Sequence, residues 1–196
     1  MSAFQTLLPV AALFTLTLSA CSSQPDNRAR EDDPATVSRV DLERYAGRWY
    51  EIARYPNSFE DKEAYRCVGV TADYALRDDG KIDVTNTCRE NTLDGPVNAA
   101  EGVARVVGGK GAKLKVRFAP AYIPFAEGDY WILDLTDDYS AALVGDPAGK
   151  FLWILSRTPQ ISEGIKARFL SAAKTRGYAT DPLIYPEQFD APVPSP

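Results

Sequence analysis

The stretch VGVTADYALRDDGKIDVTN, residues 68–86, decides the fold. Val68, Val70, Ala72, Tyr74 and Leu76 share one phase of a period-2 alternation, which predicts a half-buried strand. Arg77-Asp78-Asp79-Gly80-Lys81 reads as a hairpin turn, and Ile82, Val84 and Asn86 continue on the returning strand. A loop of Asp78, Asp79 and Gly80 pairs Leu76 with Ile82 and Tyr74 with Val84 and keeps one face apolar. A loop one residue shorter would flip that register. The preferred register sets Cys88 opposite Val70 and leaves Cys67 earlier and out of phase. A bridge between the two therefore requires Cys67 on a bulge or in the loop before the strand.

The same pattern extends outward. Strands are predicted over residues 47–55, 100–107, 113–119, 129–136, 140–145 and 151–157, with Gly108-Gly109-Lys110-Gly111 as one of the turns. Strands at such even spacing predict a sandwich or a barrel. The last three, including Tyr130-Trp131-Ile132-Leu133 and Phe151-Leu152-Trp153-Ile154-Leu155, are apolar on both faces, so their outer face must be covered. Residues 162–176 supply the cover. They predict a helix with Ser162 as N-cap, Gly177 as C-cap and Ile165, Phe169, Leu170 and Ala173 as its apolar stripe. The fold class expected is all-β with one helix: an eight-stranded up-and-down antiparallel barrel plus a C-terminal α-helix. Barrel closure removes the sheet edges that open strands would expose.

Residues 1–20 carry no charge, and the apolar run 7–18 is too short for a membrane span, so they read as a signal peptide. Leu18-Ser19-Ala20-Cys21 resembles the lipobox of bacterial lipoproteins. The resemblance implies cleavage before Cys21 and lipidation of its thiol, and Ser22 in place of Asp implies an outer-membrane destination facing the periplasm. Residues 21–38 are polar, contain Pro and lack aromatics, which predicts a lipidated flexible tether. The barrel domain is expected over 39–190 and a flexible tail over 191–196. The net charge of −5 and the lack of a basic run make nucleic acid an unfavoured partner. With no His anywhere, the usual general base and the commonest zinc and haem ligands are missing. No metal and no cofactor is expected. Of three cysteines, one goes to lipid. Cys67 and Cys88, exported to an oxidising space, are expected to pair, the alternative being two free thiols.

Three further segments resemble the motifs of the lipocalin family. Gly47-Arg48-Trp49-Tyr50-Glu51-Ile52-Ala53-Arg54 resembles the first, built on Gly-x-Trp. Thr136-Asp137-Asp138-Tyr139 resembles the second with one residue added. Leu152-Trp153-Ile154-Leu155-Ser156-Arg157-Thr158-Pro159 resembles the third, centred on Arg. The likeness runs from about Val40 to Phe189 and is closest to bacterial outer-membrane lipocalins. It implies that Trp49 plugs the closed end under Arg157, a cation–π contact. Gly47, Trp49 and Arg157 are then fold residues.

The resemblance further implies binding of a small hydrophobic ligand, such as a fatty acid or lysophospholipid, by a membrane-anchored protein that is a monomer or weak dimer. Strand phase points Glu51, Ala53, Tyr74, Asn86, Phe118, Tyr130 and Trp153 inward as the ligand-binding set, with Val84, Leu114, Val116 and Ile132 beside them. Each could equally be plain core. An inward Glu51 must be solvated or hydrogen-bonded, whereas a strand rotated by one residue would leave it on the surface. The loops 56–66, 89–97, 120–128 and 146–150 fall at one end, the mouth, where Tyr122, Ile123 and Phe125 form an apolar rim. An enzyme acting on an apolar substrate is the alternative function, with no catalytic residue assigned, since no base adjoins a nucleophile. A filled barrel with a structural or partner-binding role is a third reading.

Overall fold

The structure, a computed structural model, describes residues 25–118 and 127–192. Helix α1 (Leu42–Tyr45) precedes β1 (Gly47–Arg54), β2 (Cys67–Leu76), β3 (Ile82–Glu90), β4 (Val97–Val107), β5 (Lys113–Arg117), β6 (Glu127–Leu135), β7 (Ala141–Gly145) and β8 (Leu152–Ser156), and α2 (Glu163–Thr175) follows. The strands close into one barrel in chain order. Each pairs antiparallel with the next, and β8 returns to β1. The expectation of a single helix is corrected by α1. It was too short to show a period, and Asp41 makes it by accepting from the backbone N–H groups of Glu43 and Arg44.

The β2–β3 hairpin pairs as expected, Leu76 with Ile82 and Tyr74 with Val84. Gly80 takes the positive φ that the three-residue loop requires, at 77°. Higher up, the register shifts between Val68 and Thr71, and this bulge brings Cys67 opposite Glu90, beside Cys88. The two cysteines form a disulfide with Cα atoms 5.4 Å apart.

Two apolar clusters share the barrel wall. The inner one gathers Trp49, Val84, Leu114, Ile132, Val144 and Leu155. The outer one joins Tyr50, Leu133, Leu143 and Ile154 to Phe169 and Ala173 of α2. This is why the late strands are apolar on both faces. Ser162 caps α2 by accepting from Ile165 N. Arg176 closes the other end, and Gly177 follows it at φ 87°, one position beyond the expected C-cap role.

The segment expected to be a free tether is docked from Asn27 onward, which corrects that part of the reading. Asn27 N donates to Gly149 O, Ala29 N to Gly177 O and Val37 N to Ile132 O. Arg28, with 2% of its side chain exposed, donates from Nε to Arg176 O and lies over the Tyr178 ring. A composition argument weighs apolar burial. What holds this segment is backbone hydrogen bonding and the guanidinium groups of Arg28, Arg30 and Arg176, which composition does not register. Cys21 lies outside the described residues.

The last segment forms a strap across the opposite wall. Ile184 exchanges backbone hydrogen bonds with Arg54, and Gly69 N donates to Glu187 O. Gln188 Nε2 donates to both Glu51 O and Val70 O, bridging β1 and β2 above their paired stretch.

Candidate functional site

The floor is built from the fold residues. Trp49 is fully buried, and its indole N–H donates to Tyr45 O. The Arg157 guanidinium lies 3.8 Å from the Trp49 ring centroid. It donates to Arg48 O, Arg44 O, Tyr45 O, Ala46 O and Tyr139 O, tying α1 and two turns together. Gly47 has φ 89°, and a Cβ there would stand 3.5 Å from Arg157 Nη1.

Above this floor the barrel encloses a cavity of about 350 Å³. Its walls are mostly apolar, with Val70, Val84, Leu114, Val116, Leu155 and Trp153 among the lining residues. Six of the seven residues expected to face a ligand line it: Glu51, Tyr74, Asn86, Phe118, Tyr130 and Trp153. Ala53 does not. Between Glu51 and Ala53 the register of β1 against β8 shifts, so that Glu51 pairs with Leu155 and Ala53 with Ile154. The bulge reverses the phase and sends Ala53 into the outer cluster beneath α2. Ile132 belongs to the inner cluster below the cavity.

Three tyrosines carry the polar atoms near the floor. Tyr130 Oη lies 2.8 Å from Tyr45 Oη and 3.1 Å from Tyr74 Oη. Burial raises all three phenols, that of Tyr74 to about 12. They stay protonated near neutrality. Two hydrogen bonds use two of the three hydroxyl protons, so one O–H remains to offer a ligand.

The side wall holds a charged cluster. Glu51 is 4% exposed. The phase reversal that removes Ala53 places Arg54, fully buried, on the same side as Glu51. Arg54 Nη1 donates to Glu51 Oε1 at 2.6 Å, and Nη2 to Asp61 Oδ1 at 2.7 Å. Glu60 lies 3.8 Å from Arg54 Nε and accepts from Asn57 Nδ2. Burial, then the neighbouring Glu60, pushes the Glu51 carboxyl well above the usual carboxylate range, and Arg54 only partly offsets them. Asp61 moves the other way: burial opposes its charge, but hydrogen bonds from Arg54 and the Asn57 backbone hold it low. Asn86 presents an amide oxygen that is buried and has no hydrogen-bond partner.

At the mouth, Phe59 and Phe118 line the cavity while half exposed, at 50% and 46%. Phe59 packs on Phe151, which stacks on Trp153 at 5.3 Å. The disulfide sits in the same part of the wall, packed with Val70 and Tyr65. Tyr122, Ile123 and Phe125 lie outside the described residues. Arg54, Phe59, Glu60 and Phe151 escaped the sequence reading. Phe151 alone left a signal, since it precedes Trp153 by two residues on one phase. Among the described residues no group of acidic, His or Cys side chains is placed to hold a metal ion.

The chain matches the family described as Lipocalin-like domain over residues 40–188. It is 40% identical over 164 residues to temperature-induced lipocalin-1 of Arabidopsis thaliana, covering 81% of this chain and 85% of that protein. Against outer membrane lipoprotein Blc of Escherichia coli K12 the identity is 38% over 185 residues, covering 93% and 97%. Among solved structures, insecticyanin of the tobacco hornworm Manduca sexta superposes with a TM-score of 0.62 at 22% identity, covering 81% of this chain and 86% of that one. At that identity the likeness is one of fold.

Proposed function

This chain belongs to the lipocalin family, and we propose that it binds a fatty acid or lysophospholipid in its barrel while lipid-anchored to the outer membrane through Cys21. The cavity inside the barrel carries the binding reading. A volume of about 350 Å³ is at the lower end of the range for small-molecule pockets. Apolar walls with few polar groups suit an acyl chain. Each buried methylene contributes about 0.8 kcal/mol, so ten contribute about 8 before the losses of association. Phenols held protonated by burial donate hydrogen bonds rather than take protons, which favours holding a ligand over acid–base chemistry. The anchor reading is supported by Leu18-Ser19-Ala20-Cys21 and by relatives named outer membrane lipoprotein.

Two experiments test the two parts. Delipidated protein is expected to quench or shift a fluorescent fatty acid, and Trp153→Ala to bind it about tenfold more weakly, since a large aromatic wall is lost. No binding of any lipid class ends the proposal. Cells fed labelled palmitate are expected to label this protein in the membrane fraction. Cys21→Ser should lose the label, and a label that persists removes Cys21 as the anchor.

A further inference from the structure

We propose that Glu51 and Glu60 form a head-group site for a positively charged amine, so that the cavity takes an amphiphile with an ammonium head rather than a free carboxylate. The proposal rests on the cavity-binding reading and narrows its ligand class away from the free fatty acid to a chain that carries an ammonium. The ion pairs of Glu51, Glu60 and Asp61 run to Arg54 and, at the surface, to Arg66. Three carboxyls thus face two guanidinium groups. Asp61 contacts both arginines, at 2.7 and 3.4 Å. The charge left without a counterion falls on Glu51 and Glu60, and both line the cavity. An uncompensated carboxylate in an apolar cavity is costly, and burial beside Glu60 favours the protonated form of Glu51. An ammonium entering the cavity can take that proton's place, its N–H groups donating to the carboxylate oxygens.

Two observations outside the acidic cluster point the same way. Asn86 also lines this cavity, and its amide oxygen is buried without a hydrogen-bond partner. Phe59, next to Glu60 in the chain, packs tilted against Phe151, which stacks on Trp153, and all three line the cavity. Aromatic faces attract a cation and are indifferent to a neutral head. A carboxylate brought to the same wall would meet like charge and find only an already engaged guanidinium.

The shared chemistry is an ammonium on an apolar chain, as in a long-chain amine or a zwitterionic lysophospholipid. Titration calorimetry on the full chain carrying Cys21→Ser, cleared of bound lipid, distinguishes these. Laurate, dodecanol and dodecylamine form one series. Lauroyl lysophosphatidylethanolamine and lauroyl lysophosphatidate form the second. At pH 7 dodecylamine is expected to bind at least tenfold tighter than laurate. If the source is a phospholipid, the ethanolamine form should exceed the phosphatidate by a similar factor. Equal binding of that pair beside a preferred dodecylamine would assign the site to a simple amine. Glu51→Gln should shrink the amine preference to within threefold and leave dodecanol nearly unchanged, and Glu60→Gln serves should the first variant not fold. Laurate binding as well as dodecylamine, through the free tyrosine hydroxyl, overturns the assignment while leaving the cavity reading intact. An amine preference that survives both variants also overturns it. Failure of every chain to bind would end the cavity reading, and this assignment with it.

Discussion

Arg157 concentrates more of the closed end than any other side chain. Its planar fork reaches five backbone carbonyls from α1, β1 and the β6–β7 turn, with one face on Trp49. Lysine keeps the charge but cannot spread donors in a plane. Arg157→Lys is therefore expected to lower unfolding free energy by about 2–3 kcal/mol, as carbonyls lose their donors. Denaturant unfolding followed by tryptophan fluorescence measures this, and a loss under 0.5 kcal/mol would show that the fork is dispensable. Gly47→Ala should cost about 1–2 kcal/mol in the same assay, because a Cβ is disfavoured at its positive φ. At this scale the floor was legible, since Gly47, Trp49 and Arg157 stand in motifs. The wall was less so. Strand alternation carried the phase correctly to Glu51 and failed at Ala53, because a bulge inserts one residue without a mark in the residue types. Arg54, the partner that lets Glu51 be buried, was hidden by the same step.

Among the elements, β1 and β2 share a short ladder. They pair over Gly47–Tyr50, and bulges interrupt both strands above that stretch. The C-terminal strap closes the gap, with Gln188 satisfying carbonyls on each strand. Gln188→Leu removes both donors and is expected to cost about 1–3 kcal/mol. Hydrogen exchange should then quicken at the mouth end of β1 and β2 while the floor stays protected. Uniform quickening would refute a local role for the strap. The disulfide secures the neighbouring β2–β3 seam with a sequence separation of 21 residues. For a loop of that length, Cys67→Ser with Cys88→Ser should cost about 3 kcal/mol. Register arithmetic called for an irregularity before this bond could form, because the hairpin turn fixes one end of the count. It put that irregularity at or before Cys67, whereas the shift falls between Val68 and Thr71. The strap was not readable. It is an extended segment whose partners are backbone atoms far away in the chain.

For the whole molecule, carboxyls displaced in both directions set the dependence of stability on pH. Docking of the N-terminal segment onto Gly149 and Gly177 shows again that long-range backbone pairing, not composition, decides what is free. The charge cluster, by contrast, is local in the chain, since Glu60 and Asp61 return to Arg54 across one short loop. Burial and Glu60 raise the Glu51 carboxyl well above its ordinary value. The folded state thus holds a proton that the unfolded chain releases near pH 4. Stability from this group is complete below that pH and falls as pH rises toward the folded value, then levels off. Asp61 and Asp138 act oppositely, and Asp138 is lowered to about 2 by hydrogen bonds from Ser140 and Thr136. Their stabilisation is present above the ordinary carboxylate range and lost as pH falls toward 2. Stability should therefore rise from acid, pass a maximum near pH 4–5 and decline toward neutrality. Glu51→Gln cannot ionise, so its declining limb should be shallower. Asp146, raised by burial, keeps some decline in the variant. Urea midpoints from pH 2 to 8 for both proteins provide the comparison. Parallel limbs above pH 5 would mean that Glu51 does not hold the proton and stands as a carboxylate in the folded state.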